Sequence, residues 1–71
     1  HLTVRGSVIT DNTANEGGGG IFYVSNNRLG TMMLDEVVMA RNPSLGFETA
    51  GLPGIFYLGS GNPVITGSSL R

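Results

Sequence analysis

The sequence predicts an all-β solenoid, a coil in which one short unit of strands and turns recurs along the chain. The first observation is a repeated segment, because Gly20-Ile21-Phe22-Tyr23-Val24 returns as Gly54-Ile55-Phe56-Tyr57-Leu58. The second is composition: 12 glycines among 71 residues, with many Ser, Thr and Asn, favour turns over helices. The third is spacing, since strand-like segments restart at a nearly constant interval, and such periodicity indicates stacked repeats.

The first unit contains three strand-like segments separated by turn residues. Leu2-Thr3-Val4-Arg5 alternates apolar and polar side chains, which is the period of a β-strand. Gly6-Ser7 interrupts this pattern, and Val8-Ile9-Thr10 resumes it before the turn residues of Asn12 to Glu16. Ile21 to Val24 is the next strand. Its four consecutive apolar or aromatic residues predict either that both faces are covered or that one aromatic is exposed.

The second unit starts at Thr31 and matches the first in register. Three sets of residues align: Val4 with Leu34 and Ile65, Ile9 with Met39 and Leu70, and Asn12 with Asn42. The interval is 30 residues from the first unit to the second and 31 from the second to the third. Seven residues separate Asn12 from Gly20, whereas eleven separate Asn42 from Gly54. An insertion confined to one connection, with the strands kept in register, is typical of a solenoid.

Residues 32–41 are the one stretch whose sequence is also compatible with a helix. The segment from Met32 to Arg41 lacks helix-breaking residues, and it carries Asp35-Glu36 early and Arg41 late, as the helix dipole favours. Its register with Leu2 to Asn12, which contains Gly6 and several β-branched residues, favours strand instead.

Like residues that recur at the repeat interval are predicted to stack above one another in columns along the coil. Residues one rung apart, where a rung is one circuit of the chain, lie about 4.8 Å from each other in a parallel coil. The first two aligned sets therefore form interior columns, and Asn12 over Asn42 predicts an amide ladder at a turn. Opposite charges also fall in register, Arg5 with Asp35 and Asp11 with Arg41, which stabilises neighbouring strands.

These segments resemble the repeats of right-handed parallel β-helices, most closely those of bacterial surface passengers such as the polymorphic outer membrane proteins. That family carries a Gly-Gly-x-Ile motif and an aromatic-x-x-Asn motif. Gly19-Gly20-Ile21 is near the first, and Leu52-Pro53-Gly54-Ile55 is a reduced second copy. Ile9-Thr10-Asp11-Asn12 and Met39-Ala40-Arg41-Asn42 are near the second, with an aliphatic residue in the aromatic position. The resemblance implies an all-β, right-handed parallel β-helix (solenoid) fragment of about two and a half turns.

The expected organisation is a single β-helix segment over residues 1–71, with rungs at roughly residues 1–30 and 31–61 and the start of a third at 62–71. The chain begins without Met, and we expect it to be part of a longer one. No segment resembles a cap, so each end is expected to expose unpaired backbone groups. We therefore expect a homo-oligomer formed through the exposed solenoid ends, most commonly a two-fold dimer.

Composition argues against several classes of partner. The net charge of −1 offers no electrostatic basis for binding nucleic acid. No apolar run approaches the length of a transmembrane helix, so no membrane insertion is expected. The chain has no Cys, which removes disulfides and thiolate metal sites.

No catalytic residue, metal ligand or cofactor site is predicted. Gly17 to Gly20 precedes a strand instead of following one, and the chain has no Lys, so the run does not match a phosphate-binding loop. Glycine there permits a corner with positive φ or close backbone approach. Asp35-Glu36 is the only adjacent carboxylate pair, and neighbours on a strand point to opposite faces. His1 is alone at the terminus.

The aromatic residues predict two ladders, Phe22 over Phe56 and Tyr23 over Tyr57, one directed inward and one outward. We expect Tyr23 and Tyr57 to form the exposed ladder and to stack on the sugar rings of a polysaccharide. The alternative is that the exposed pair packs against a loop of the same chain.

The predicted function is that of a structural or adhesive β-helix segment of an extracellular or cell-surface bacterial protein, without a catalytic site of its own. This localisation follows from the family resemblance alone. One alternative is a scaffold fragment of a carbohydrate-active β-helix enzyme, a polysaccharide lyase or hydrolase, because such enzymes share the architecture. The other is a small self-associating β domain with no solenoid.

Overall fold

The fold is all-β, and the strands are short and separated by turns. The computed structural model describes all 71 residues. The strands are β1 (Leu2–Arg5), β2 (Val8–Thr10), β3 (Ile21–Val24), β4 (Met32–Asp35), β5 (Val38–Ala40), β6 (Ile55–Leu58), β7 (Val64–Thr66) and β8 (Ser69–Leu70). The chain contains no helix, and therefore none that is long and apolar enough to cross a membrane.

The strands form three parallel sheets that the chain visits in turn. The first sheet has the order β1-β4-β7, the second β2-β5-β8, and the third β3-β6. Every pairing is parallel. Because each rung adds one strand to each sheet before the chain returns to the first, the molecule is a parallel β-helix of between two and three rungs. The predicted fold class is confirmed.

The register of the rungs is the one that the sequence predicts. Val4 is paired with Leu34 and Leu34 with Ile65. The second predicted column is also present, since Met39 lies between Ile9 and Leu70. The helical alternative for residues 32–41 is wrong, because this segment contains β4 and β5.

The hydrophobic core is concentrated in the middle rung. Leu34 and Met39, which have a strand on either side, are completely buried. Val4 and Ile9, their counterparts in the first rung, are only partly buried, because each has a neighbouring strand on one side only. Ile55 is also completely buried although β6 is the last strand of the third sheet, and there the insertion covers the outer edge of the strand.

Left-handed backbone conformations turn the chain from one sheet to the next. The corner between the first and second sheets is occupied by Gly6, Glu36 and Gly67, with φ of 53°, 54° and 56°. Asp11 and Arg41 have φ of 61° and 57° at the end of the second sheet. This conformation costs a non-glycine residue about 1–2 kcal/mol, so its recurrence in register shows that the coil requires it at these corners.

The glycine run that precedes β3 combines both roles expected of it. Gly18 has φ of 66°, and a Cβ on this residue would overlap the carbonyl oxygen of Ile21. A Cβ on Gly19 would overlap the backbone of Asn42 in the rung below. The run therefore supplies a left-handed corner and lets two backbones approach closely.

The four-residue insertion of the second rung folds across one edge of the third sheet. Thr49 donates its backbone N–H to the carbonyl oxygen of Ile55 (2.8 Å). Its hydroxyl accepts a hydrogen bond from the N–H of Tyr57 (2.8 Å). The expectation that both ends of the coil are uncovered is therefore wrong for the third sheet, since this loop satisfies the outer edge of β6.

Candidate functional site

The outer surface of the third sheet carries a cluster of exposed and half-buried aromatic and aliphatic side chains. We call Phe22, Val24, Phe47, Phe56 and Leu58 the outer aromatic face. The Phe22 and Phe56 rings stack with centroids 5.1 Å apart, and Phe47 meets Phe56 edge-on at 4.9 Å. Phe22 is 55% exposed and Phe47 48% exposed. An apolar surface of this kind, concentrated on one sheet, is typical of a contact site.

The backbone explains why these side chains face outward. Alternate residues of a strand point to opposite faces, and Ile21 is directed into the core. Phe22 and Val24 are therefore directed outward, as are Phe56 and Leu58 in the strand below. Phe47 lies just before the insertion, in register with Gly17 of the first rung, and its ring reaches the same surface against Phe56.

The tyrosine ladder faces inward, which corrects the expectation that Tyr23 and Tyr57 form the exposed pair. The two rings stack with centroids 5.4 Å apart, but Tyr57 is only 8% exposed and Tyr23 packs against the core. The Tyr57 hydroxyl lies within hydrogen-bonding distance of the carbonyl oxygens of Gly30 (3.1 Å) and Ser60 (2.8 Å) and shares its single proton between them. These acceptors satisfy a phenol that would otherwise favour solvent, so the exposed aromatic ladder is Phe22–Phe56.

The predicted charge pairs are both formed on the surface of the coil. Arg41 donates two hydrogen bonds to the carboxylate of Asp11, from Nε (2.6 Å) and from a terminal nitrogen (3.1 Å). Arg5 lies 3.6 Å from Asp35, whose carboxylate also accepts a hydrogen bond from the Thr66 hydroxyl (3.0 Å). Carboxylates with partners of this kind are already engaged in holding neighbouring rungs together.

The Asp11–Arg41 pair makes a small, pH-dependent contribution to stability. The hydrogen bond from Arg41 lowers the pKa of Asp11 below its ordinary value of 3.8. A carboxyl group with a lowered pKa in the folded state stabilises that state above its ordinary pKa, and the contribution is lost as pH falls through the lower folded-state value. The size of the effect is limited because both side chains are mostly exposed.

We therefore expect wild type to melt at a higher temperature than Asp11→Asn at pH 7, and the difference to shrink as pH falls through the lowered pKa of Asp11. Thermal melts followed by circular dichroism over a series of decreasing pH values measure it. Ser7→Ala is a control for a change elsewhere on the same rung that leaves the ion pair intact. A difference between wild type and Asp11→Asn that persists unchanged to the lowest pH would contradict the assignment.

The predicted asparagine ladder is confirmed, and it joins the first two rungs at a buried corner. The side-chain oxygen of Asn42 accepts hydrogen bonds from the backbone N–H (3.1 Å) and side-chain amide (3.0 Å) of Asn12. The Asn42 side-chain amide donates to the carbonyl oxygen of Ile9 (2.9 Å). Since Asn42 is 4% exposed, these bonds satisfy a polar side chain that would be costly to bury alone.

The other two titratable residues considered above, Glu36 and His1, are exposed. Glu36 lies at a left-handed corner next to Asp35, and its side chain is exposed. The His1 ring contacts the hydroxyls of Thr3 and Thr31 at the surface. No group of three or more His, Cys, Asp or Glu residues is placed to hold a metal ion.

An open groove of about 750 Å³ lies beside the end of β8. Five of its nine lining residues are polar, among them Arg41, Asn42, Glu48 and Arg71. Arg41 is paired with Asp11, Glu48 accepts a hydrogen bond from the Gly54 N–H (2.9 Å), and Arg71 donates to the Ser69 hydroxyl (3.1 Å). The polar groups of the groove are therefore engaged with the chain itself, and the outer aromatic face is the stronger candidate site.

Sequence reasoning missed Phe47 and Thr49. Thr49 lies in the insertion and has no counterpart in the first rung, whereas Phe47 is paired with Gly17, so the repeat places no similar residue opposite either of them. The glycine opposite Phe47 is the one available signal, because a Cβ on Gly17 would overlap the Phe47 ring. Comparison of the chain with protein-family models, with curated proteins and with solved structures found no match.

Proposed function

We propose that this chain is a structural, adhesive segment of an extracellular or cell-surface bacterial β-helix, and that the outer aromatic face is its contact surface. The observation that carries the proposal is the exposure of Phe22 and Phe47 beside the stacked Phe56 ring. A stable fold with an exposed aromatic face is suited to holding a partner without transforming it. The Gly-Gly-x-Ile and x-x-x-Asn segments, which resemble bacterial surface passengers, support the localisation.

The proposed ligand is a polysaccharide. The residues proposed to contact it are Phe22 and Phe56, in place of Tyr23 and Tyr57. Aromatic rings bind the apolar C–H face of a sugar by stacking. Phe22 stacks on Phe56 and is 55% exposed on the outer surface of the coil, so this exposed part of the ring is available to a sugar. The aliphatic neighbours Val24 and Leu58 extend the same apolar surface along the strands.

The test is the binding of purified protein to a panel of immobilised polysaccharides. We expect Phe22→Ala to weaken binding by about 3- to 10-fold, the equivalent of one aromatic stacking contact. Val8→Ala is the matched control, because Val8 is also highly exposed but lies on the second sheet. Equal binding by wild type and Phe22→Ala would contradict the assignment of the surface. Failure of the wild type to bind any polysaccharide would contradict the choice of ligand.

A further inference from the structure

Two connections of the coil carry extra residues, and both adjoin the third sheet. One is the four-residue insertion before β6, and the other is the turn that follows β3. Eight residues separate Val24 from Met33 across this turn. Five separate their partners, Leu58 and Val64, in the second rung. Residues added to single rungs of a solenoid often form the loops of its binding face, and here they lie at both ends of the outer aromatic face.

The longer turn, residues 25–31, is held by its own hydrogen bonds. The side-chain oxygen of Asn27 accepts hydrogen bonds from the Ser25 hydroxyl (2.8 Å) and from the N–H of Leu29 (3.0 Å). The Ser25 hydroxyl oxygen in turn accepts the N–H of Gly30 (3.0 Å). These bonds engage the two polar side chains within the turn and fix the position of its tip relative to β3.

Arg28 lies at the tip of this turn, next to one end of the outer aromatic face. Its N–H donates to the carbonyl oxygen of Ser25 (2.9 Å), which turns the chain back towards β3. Ser25 directly follows Val24, and its N–H donates to the carbonyl oxygen of Leu58 (2.8 Å). Residues 26–29 are all exposed, as expected for a tip that is three residues longer than the turn of the neighbouring rung. Arg28 is therefore one hydrogen-bonded turn away from the apolar surface that Val24 and Leu58 form.

The Arg28 guanidinium is a cation without a counter-ion in the chain. The other three arginines each engage a side chain of the same molecule: Arg5, Arg41 and Arg71. Neither residues 17–34 nor residues 49–71 contain Asp or Glu, and these two ranges include both turns at this end of the third sheet. The charge at the tip of the turn is therefore available to an anionic group of a ligand.

The opposite end of the outer aromatic face carries charge of the other sign. Glu16 and Glu48 are both exposed, and they flank the pair formed by Gly17 and Phe47. A ligand that bears a carboxylate is thus attracted at the Arg28 end and repelled at the Phe47 end. This asymmetry sets which way such a ligand lies on the face.

A guanidinium beside an apolar surface matches the chemistry of a uronate, a sugar residue that carries a carboxylate. The apolar C–H face of a sugar ring packs on aromatic side chains. A planar guanidinium can donate two parallel hydrogen bonds to a carboxylate, which gives the contact a defined geometry. A neutral sugar would use the aromatic contact alone.

We propose that the outer aromatic face binds a uronate-containing polysaccharide, with the carboxylate of one sugar residue on Arg28 and a neighbouring sugar ring on Phe22 and Phe56. This inference rests on the proposed function and adds the class of sugar and the residue that selects it. The two contacts differ in kind, because an exposed ion pair is weakened by salt whereas apolar packing is not. Each contact can therefore be measured separately.

Hyaluronate and its methyl ester are matched probes, because esterification removes the carboxylate charge and keeps the sugar chain. We expect wild type to bind immobilised hyaluronate more tightly than the ester, and the difference to vanish at high salt. Arg28→Gln is expected to weaken hyaluronate binding by about 3- to 10-fold and to leave binding of the ester unchanged. Phe22→Ala is expected to weaken both alike. Arg71→Gln, the same change of charge beyond β8 of the second sheet, is the control, and circular dichroism verifies the fold.

Each alternative outcome has its own meaning. Equal affinity of wild type for hyaluronate and its ester, or equal hyaluronate binding by wild type and Arg28→Gln, would overturn the assignment of a uronate to Arg28. Binding of a neutral polysaccharide but of neither probe would overturn the class of sugar and leave the proposed function standing. Failure to bind any polysaccharide would overturn the proposed ligand, and this inference with it.

Discussion

Leu34→Ala is expected to lower the free energy of unfolding by about 2–5 kcal/mol. Leu34 is completely buried and lies between Val4 and Ile65 in the central column of the first sheet. The truncation removes buried apolar surface and leaves a cavity that strands on both sides hinder from closing. For a chain of 71 residues, whose whole stability is of the order of 4–10 kcal/mol, this is a large share. Urea unfolding measures it.

Asp35→Ala is the control for that experiment. Asp35 follows Leu34 on the same strand but points outward, where its carboxylate is 3.6 Å from Arg5 and is partly exposed. Loss of such a surface ion pair is expected to cost less than about 1 kcal/mol. If Asp35→Ala were the more destabilising of the two, the assignment of inner and outer faces on β4 would be wrong.

Gly18→Ala is expected to destabilise the fold by about 2–5 kcal/mol, because two effects combine. Gly18 has φ of 66°, a conformation that disfavours any Cβ. The added methyl group would also overlap the carbonyl oxygen of Ile21, so the backbone of the corner has to move. Urea unfolding, with refolding checked, gives the size of the loss.

Gly51→Ala separates the two effects, because Gly51 also has positive φ (79°) but its Cβ would meet no atom within 4 Å. We expect this control to lose only the conformational part, about 1–2 kcal/mol. Equal losses for Gly18→Ala and Gly51→Ala would mean that the close approach at Gly18 contributes nothing to the fold.

The register of the coil was predictable because the repeat interval places chemically similar residues in the same column. Pairs such as Leu34 with Ile65 and Asn12 with Asn42 all support the same alignment of the repeats. A shift of this alignment by one residue would exchange the inner and outer faces of the strands. The interior columns, the amide ladder and both ion pairs all follow from that alignment. Their agreement is the reason that a single sequence predicts this fold.

Which aromatic side chains are directed outward was not predictable, because β3 and β6 contain no alternation of polar and apolar residues. Phe22 and Tyr23 are both large and aromatic, and the usual preference would place the phenol in solvent. The carbonyl oxygens of Gly30 and Ser60 accept the hydrogen bond from the Tyr57 hydroxyl. Both residues lie in turns, and no short sequence motif indicates the path of these turns. The exposed aromatic residue is therefore Phe22 instead of Tyr23 on β3, and Phe56 instead of Tyr57 on β6.

The insertion was visible in the sequence only as four extra residues between Asn42 and Gly54. Repeat alignment places the insertion within these bounds but does not indicate the edge on which it folds. Left-handed Glu36 and Arg41 were missed for a related reason, since this conformation normally selects Gly or Asn. In both cases the coil imposes a structure that local propensity does not favour.

Parallel pairing of β3 with β6 is the most direct test of the β-helix, because these strands carry the sequence repeat itself. Cross-strand nuclear Overhauser contacts in an isotope-labelled sample report which residues are neighbours. The parallel coil predicts contacts of Phe22 with Phe56 and of Val24 with Leu58. Contacts that instead join Ile21 to Leu58 and Val24 to Ile55 would establish an antiparallel pair and contradict the β-helix.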